Sequence, residues 1–175
     1  MSNQFSSDDT NKARKESQKY GQYLTFWVQG EIFATDIMGI KEIIEHGSVT
    51  KVPLMDFSIR GVTNVRGEVV PVIDLCKRLG LGDSRIGKRT SIIIVECGSG
   101  DERMDVGLQV DAVNQVREVA DTELDTAPAF GSKVRQDFIL KMARVDGAFI
   151  PILNVDRVTS LDELSHVRTT TVKYM

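Results

Sequence analysis

Cysteine is scarce in this chain: Cys76 and Cys97 are the two present among 175 residues. Two thiols cannot form a disulfide framework, and they are read as ordinary reduced cysteines. With only His46 and His166 to add nitrogen ligands, a four-ligand metal site would have to be completed by carboxylates, so no metal and no other cofactor is expected. Aromatic residues make up 6% of the chain and the net charge is -3, from 22 basic and 25 acidic residues. A nucleic-acid partner is therefore not expected, because single-strand binding wants a basic groove lined with stacking rings. No apolar run reaches the length of about 20 residues that a membrane span needs. None lies near Met1, where a signal peptide would carry its apolar core. A cytoplasmic protein without direct membrane insertion is the expectation.

Catalytic patterns are missing as well. No HExxH, CxxC or EF-hand loop occurs. His46 sits beside Gly47 and Ser48 in a turn and His166 lies in the tail, so neither is set to activate a nucleophile. The carboxylates Glu42, Glu68, Asp74 and Asp111 are scattered, and pairing any two as acid and base would be arbitrary. Gly82 to Lys88 fits seven positions of a phosphate-binding loop, but Arg89 stands where Ser or Thr should hold magnesium. A helical turn precedes that stretch and a strand follows it, the reverse of the required order. A nucleotide-binding enzyme using residues 82–88 is thus the weaker alternative, and no catalytic residue is assigned.

What the chain does contain is a succession of short β-branched runs. Tyr23 to Val28 and Ile32 to Asp36 read as a hairpin about Gln29-Gly30. In Ile37 to Ile44 the isoleucines recur every three or four residues, which fits a short helix or an irregular strand. Val49 to Val52, Gly61 to Arg66, Val69 to Ile73, Ser91 to Val95, Met104 to Val110, Phe138 to Val145 and Ala148 to Leu153 read as strands. Leu75 to Leu79 and Asp156 to Leu164 read as short helices, and Asp121 to Phe130 as a loop. Strands closed off every eight to twelve residues by turn signals indicate an all-β barrel or sandwich.

Proline is also rare, four in all, and two of them stand at matching places. Val65 to Leu75 lies over Val145 to Val155 without a gap. Gly67 meets Gly147, Pro71 meets Pro151 and Asp74 meets Asn154. Each copy holds a tight turn, a strand whose proline needs a sheet edge or bulge, and an Asx residue placed to cap a helical turn. The implied architecture is two similar small β-barrels packed together.

With no catalytic set, surface residues carry the function. Arg66 stands at the tip of the first repeated turn, opposite Asp146 in the second copy. Glu42 interrupts the apolar stretch Ile40 to Ile44. Val113 and Val116 alternate with polar residues, a spacing that core packing alone also explains.

These residues resemble the CheW-like adaptor proteins of bacterial chemotaxis. The resemblance is carried by Phe33-Ala34-Thr35-Asp36, Ile40-Lys41-Glu42-Ile43, Gly61-Val62-Thr63-Asn64-Val65-Arg66-Gly67 running into Pro71 to Leu75, and Val106 to Asp111 followed by Val113 to Val116. It covers roughly Gln22 to Leu161. Thr35 and Gln109 stand where the family more often has aliphatic residues. The resemblance implies two SH3-like five-stranded β-barrels with a few short helices. It implies an adaptor that couples the coiled-coil cytoplasmic tip of transmembrane chemoreceptors to the regulatory domain of the histidine autokinase CheA, recruited to membrane-associated receptor arrays. By the same similarity Ile40, Glu42, Arg66, Val113 and Val116 belong to a receptor-facing groove, with Gly61 and Asn64 supporting its floor. The expected organisation is a disordered leader over 1–21, a CheW-like domain over 22–164 and a flexible tail over 165–175. Within the domain the barrel halves are drawn at 22–81 and 90–161, with strands open to exchange between them.

Overall fold

In a computed structural model the described residues are 19–53, 55–127 and 133–160; the proposed tail and all but the last residues of the proposed leader lie outside them. Tight turns organise the chain. β1 (Tyr20–Val28) and β2 (Glu31–Asp36) meet at Gln29-Gly30, β4 (Ile59–Val65) and β5 (Glu68–Asp74) at Arg66-Gly67, and β10 (Ile139–Val145) and β11 (Ala148–Leu153) at Asp146-Gly147. Both central residues of each turn have positive φ: 52° and 75°, 53° and 86°, 50° and 79°. That pattern matches the twist of an antiparallel pair.

The remaining elements are β3 (Ile40–Glu45), α1 (Leu75–Arg78), β6 (Ser91–Cys97), β7 (Met104–Val110), β8 (Ala112–Ala120), β9 (Leu124–Asp125) and α2 (Val155–Val158). They form two sheets, a six-stranded one in the order β8-β1-β2-β11-β10-β9 and a five-stranded one in the order β3-β6-β7-β5-β4. The fold is all-β, as expected. Its strands do not sort as a cut into 22–81 and 90–161 would have them. The five-stranded sheet takes β3 to β7 as one continuous piece, whereas the other joins β1 and β2 to β8 through β11. Hydrophobic pattern tells a strand which face to bury, not which sheet to join. The expected five strands per barrel become six in one sheet, because the loop expected over Asp121 to Phe130 contains the short β9. Neither sheet closes into a complete hydrogen-bonded ring among the described residues. In the five-stranded sheet a Thr50–Val62 bridge, with bonds of 2.8 and 2.9 Å, ties the chain leaving β3 to the far edge strand β4.

The internal repeat extends well beyond the eleven residues that revealed it. β4 pairs with β5, and β10 with β11, in registers displaced by 80 positions, including a bulge at the same place in each. Asp74 donates its N–H to Ser58 O as Asn154 does to Phe138 O. Their side chains cap α1 and α2 by accepting from Lys77 N and Arg157 N. β5 runs parallel to β7 as β11 does to β2, with Val72 against Gly107 and Ile152 against Ala34. The bridge of Thr50 to Val62 has its counterpart in Asp125 to Met142. The two halves are therefore the same unit twice, one continuous in the chain and the other split.

Each half has a small interior. Val70, Val72, Ile92 and Ile94 fill one; Ala34, Val119, Ala143, Ile150 and Ile152 fill the other. The large core lies between the sheets, where Leu24, Phe26, Val28 and Phe33 meet Ile93, Val95, Val106, Leu108 and Phe138. Phe26 and Phe33 stack there with centroids 6.4 Å apart.

Candidate functional site

The stretch Ile37 to Ile44, ambiguous by periodicity, divides into a single 3-10 turn over Ile37–Gly39 and the strand β3. Asp36 starts the turn, its carboxylate accepting from Met38 N at 2.9 Å. β3 is an edge strand paired only with β6. Ile40 lies opposite Val95 and Ile43 opposite Ile93, with an irregularity between Ile40 and Glu42. Directly opposed residues share a face. Val95 and Ile93 belong to the core between the sheets, so Ile40 and Ile43 point to that side although three positions separate them.

β8 does the same in the other half. It is an edge strand on β1, with Val113 opposite Phe26, Val116 opposite Leu24, and a register shift between them. Leu24 and Phe26 are again residues of the shared core. The bulge at Asn114 and Gln115 is held by Thr25, a buried threonine. Its hydroxyl donates to Gln115 O at 2.7 Å and accepts from Gln115 N and Asn114 Nδ2 at 3.3 and 3.1 Å. Ile40 and Val113 pack on the shared core from partly buried positions. Ile43 and Val116 are 44% and 53% exposed, so each edge strand offers one anchored and one open apolar side chain.

The charged candidates take the other side of β3. Glu42 faces Ile94, an interior residue of its own half. Its carboxylate meets Arg66 Nη2 at 2.9 Å. The two line a cleft of about 410 Å³ together with Val65, Glu68 and Lys41. Lys41 hydrogen-bonds Asp105, which holds its ammonium above the usual lysine value. Gly61 and Asn64 support the hairpin that carries Arg66 rather than the apolar rows. Asn64 Oδ1 accepts from Gly67 N at 2.9 Å and closes the turn. Gly61 has φ of 147°, and a Cβ there would stand 2.1 Å from Thr50 O.

The candidates thus divide into apolar residues on the faces flanking the shared core and a charged pair on the opposite face of β3. Ile43 was missed by the reading of the chain, and its signal was present: Ile40-Lys-Glu-Ile43 repeats the spacing of Val113-Asn-Gln-Val116.

The stretch Gly82 to Lys88 lies between α1 and β6, the order opposite to that of a phosphate-binding loop. Ser84 Oγ ties it to the buried Asp74, donating to Oδ2, and accepts from Gln109 Nε2 at 3.2 Å. Gln109, where the resemblance led to an aliphatic residue, is thereby part of a buried polar cluster. Cys76 and Cys97 are buried and free, and burial, with Asp74 and Asp111 nearby, pushes the Cys76 thiol up to about 11. Among the described residues no group of three or more His, Cys, Asp or Glu is placed to hold a metal ion, and no helix is long and apolar enough to cross a membrane.

Two equivalent halves around one core, each with an apolar pair on its edge strand, define a class of duplicated all-β proteins. The CheW-like domain model matches residues 22–163, and the chain belongs to that family. It is 29% identical over 154 residues to the chemotaxis protein CheW of Rhizobium meliloti, covering 88% of this chain and 97% of that one. With the chemotaxis protein CheW of Bacillus subtilis the identity is 33%, over 77% of this chain and 84% of the relative. The crystal structure of the scaffolding protein TtCheW from Thermoanaerobacter tengcongensis superposes with a TM-score of 0.74 at 29% identity, covering 83% of this chain and 91% of that one.

Proposed function

We propose that this protein is a non-enzymatic chemotaxis adaptor that couples the cytoplasmic tip of chemoreceptors to the histidine kinase CheA within membrane-associated arrays. Family membership supports the adaptor role, and one observation supports the receptor site. Each edge strand flanking the shared core carries an anchored and an exposed apolar residue, Ile40 with Ile43 and Val113 with Val116. An amphipathic helix of a coiled-coil tip lays its apolar side chains on such rows, while charges at the rim set its orientation. Glu42 and Arg66 are the rim charges of this reading, and Gly61 and Asn64 hold the hairpin that presents Arg66. The kinase regulatory domain binds elsewhere on the surface.

Val116→Glu tests the reading with little risk to the fold, because the native side chain is half exposed. Burying that carboxylate against an apolar helix costs about 2 kcal/mol or more. Binding to a soluble receptor fragment is expected to fall at least tenfold, with receptor-dependent kinase activation lost in parallel and far-UV circular dichroism unchanged. Wild-type affinity in that variant would count against the site.

A further inference from the structure

The two halves differ in what covers the parallel seam, where β5 meets β7 and β11 meets β2. In the continuous half Asp74 stands against Gln109, and the chain following α1 covers both. Ser84 Oγ donates to Asp74 Oδ2 and accepts from Gln109 Nε2 at 3.2 Å. Arg60 Nη1 lies 3.9 Å from the same carboxylate oxygen. Leu81 packs on the shared core, and Gly87 N donates to the hydroxyl of the buried Thr90 at 2.8 Å. Residues 81–90 thus form a strap, and Asp74 and Gln109 beneath it are 0% and 2% exposed.

In the split half the same seam lies open. The pair Val72–Gly107 corresponds to Ile152–Ala34, so the counterparts of Asp74 and Gln109 are Asn154 and Asp36. Asp36 is exposed and Asn154 partly exposed. Both line a cavity of about 400 Å³, together with Leu140, Ile152 and Val155. Leu140, the counterpart of Arg60, is 57% exposed. None of the receptor-site candidates lines this cavity, which stands apart from that reading.

We propose that residues 161–170 of this chain dock on the open cavity as residues 81–90 dock on Asp74 and Gln109. The described residues end at Ser160, the counterpart of Gly80, shortly after Asp156, which lines the cavity. The strap sequence has its own counterpart in the repeat: Leu81 meets Leu161, Asp83 meets Glu163, Lys88 meets Arg168 and Thr90 meets Thr170. The differences are matched as well. Ser84 becomes Leu164 where Arg60 becomes Leu140, so a polar side chain over a polar seat is exchanged for an apolar one over an apolar seat. His166 and Arg168 bring nitrogen donors to a rim that carries Asp36, Glu96 and Asp156. Attachment through α2 gives the segment a high effective concentration at the cavity, which no separate partner has. Part of the stretch expected as a flexible tail is thereby assigned to the fold.

Docking can be measured on the full chain by magnetic resonance. Ser165→Cys, at the counterpart of the exposed Arg85, carries a nitroxide that broadens the amide signals of residues near it. The native thiols, 1% and 3% exposed, stay unlabelled. The amides of Asp36, Gly39, Glu96 and Leu140 are expected to lose most of their intensity, and that of Gly47, beyond the opposite end of β3, to keep it. Leu164→Asp in the labelled chain is expected to restore the four signals, and Leu164→Met to leave them broadened, with unchanged circular dichroism in both. Weak broadening spread over the whole surface, or broadening confined to α2, overturns the proposal. So does broadening at the cavity that survives Leu164→Asp. A mixture of isotope-labelled chain without nitroxide and nitroxide-bearing chain without isotope is expected to show no broadening at the cavity. Broadening there would place the segment of a second copy on it and overturn docking within one chain.

Discussion

Gly61 shows how closely two backbones can be asked to approach. Its φ of 147° disfavours any side chain, and a Cβ would meet the Thr50 carbonyl oxygen at 2.1 Å and its carbon at 2.7 Å. Neither atom can yield, since Thr50 is fixed by two hydrogen bonds to Val62. Gly61→Ala must therefore either break that bridge or move β4, and a loss of about 3 kcal/mol or more is expected in urea denaturation. The equivalent residue of the other half is Lys141, whose exposed position imposes no such contact. Lys141→Ala should change stability by less than about 0.5 kcal/mol, so the pair separates a steric demand of one half from a demand of the repeat. The neighbouring Asn64 acts by accepting a hydrogen bond from Gly67 N, which closes the turn that carries Arg66.

At the scale of elements, the two edge strands depend on their bulges. Without the extra residue, Val113 and Val116 would point to opposite faces, since a strand alternates with a period of two. Thr25 holds the β8 bulge through three hydrogen bonds to Asn114 and Gln115. Thr25→Val keeps the shape and removes the hydroxyl; a loss of about 1–2 kcal/mol is expected by thermal denaturation, with weaker receptor-fragment binding as Val116 loses its register. Wild-type stability in that variant would mean that the pairing with β1 alone holds the bulge. The same bulges explain what the chain concealed. Ile40 and Ile43 share a face at a spacing of three, which imitates a helix, so Ile37 to Ile44 could not be assigned from periodicity. The repeat at 65–75 and 145–155 was legible because turn glycine, edge proline and capping Asx each have a local cause and recur without a gap. Gly82 to Lys88, which the chain's pattern suggested as a connector between the halves, instead joins α1 to β6 within the continuous half, because the chain crosses between halves at Asp111. Val113 and Val116 stood out as valines among polar residues and were assigned to a groove by resemblance, and only the register shift explains why both face the same way.

For the whole molecule the decisive fact is that the chain crosses between halves. After β7 of the five-stranded sheet, Asp111 alone separates it from β8 of the other. That residue is fastened to the β1–β2 hairpin: its N–H donates to Trp27 O at 2.9 Å, and its carboxylate accepts from Gln29 N at 2.7 Å. The split half therefore needs both ends of the described chain, and its hairpin supplies Leu24, Phe26, Val28 and Phe33 to the core between the sheets. A small β unit of about 70 residues is marginal on its own. With four and five buried apolar residues in their interiors, the halves draw most of their hydrophobic stabilisation from the shared core. Two such halves should not unfold separately. Trp27, the one tryptophan, reports from the split half, and a tryptophan at Phe57, an exposed site beside β4, would report from the continuous one. In a Trp27→Phe background, fluorescence of the Phe57→Trp variant is expected to follow the same urea transition as far-UV circular dichroism, as Trp27 does in the unaltered protein. Phe26→Ala should lower both transitions together by about 3–5 kcal/mol, because it opens a cavity in the core that both halves use. Separated transitions, or a midpoint that moves for the split half only, would show the halves to be independent, and the flanking apolar rows would then lack the fixed spacing that a helix-binding site requires.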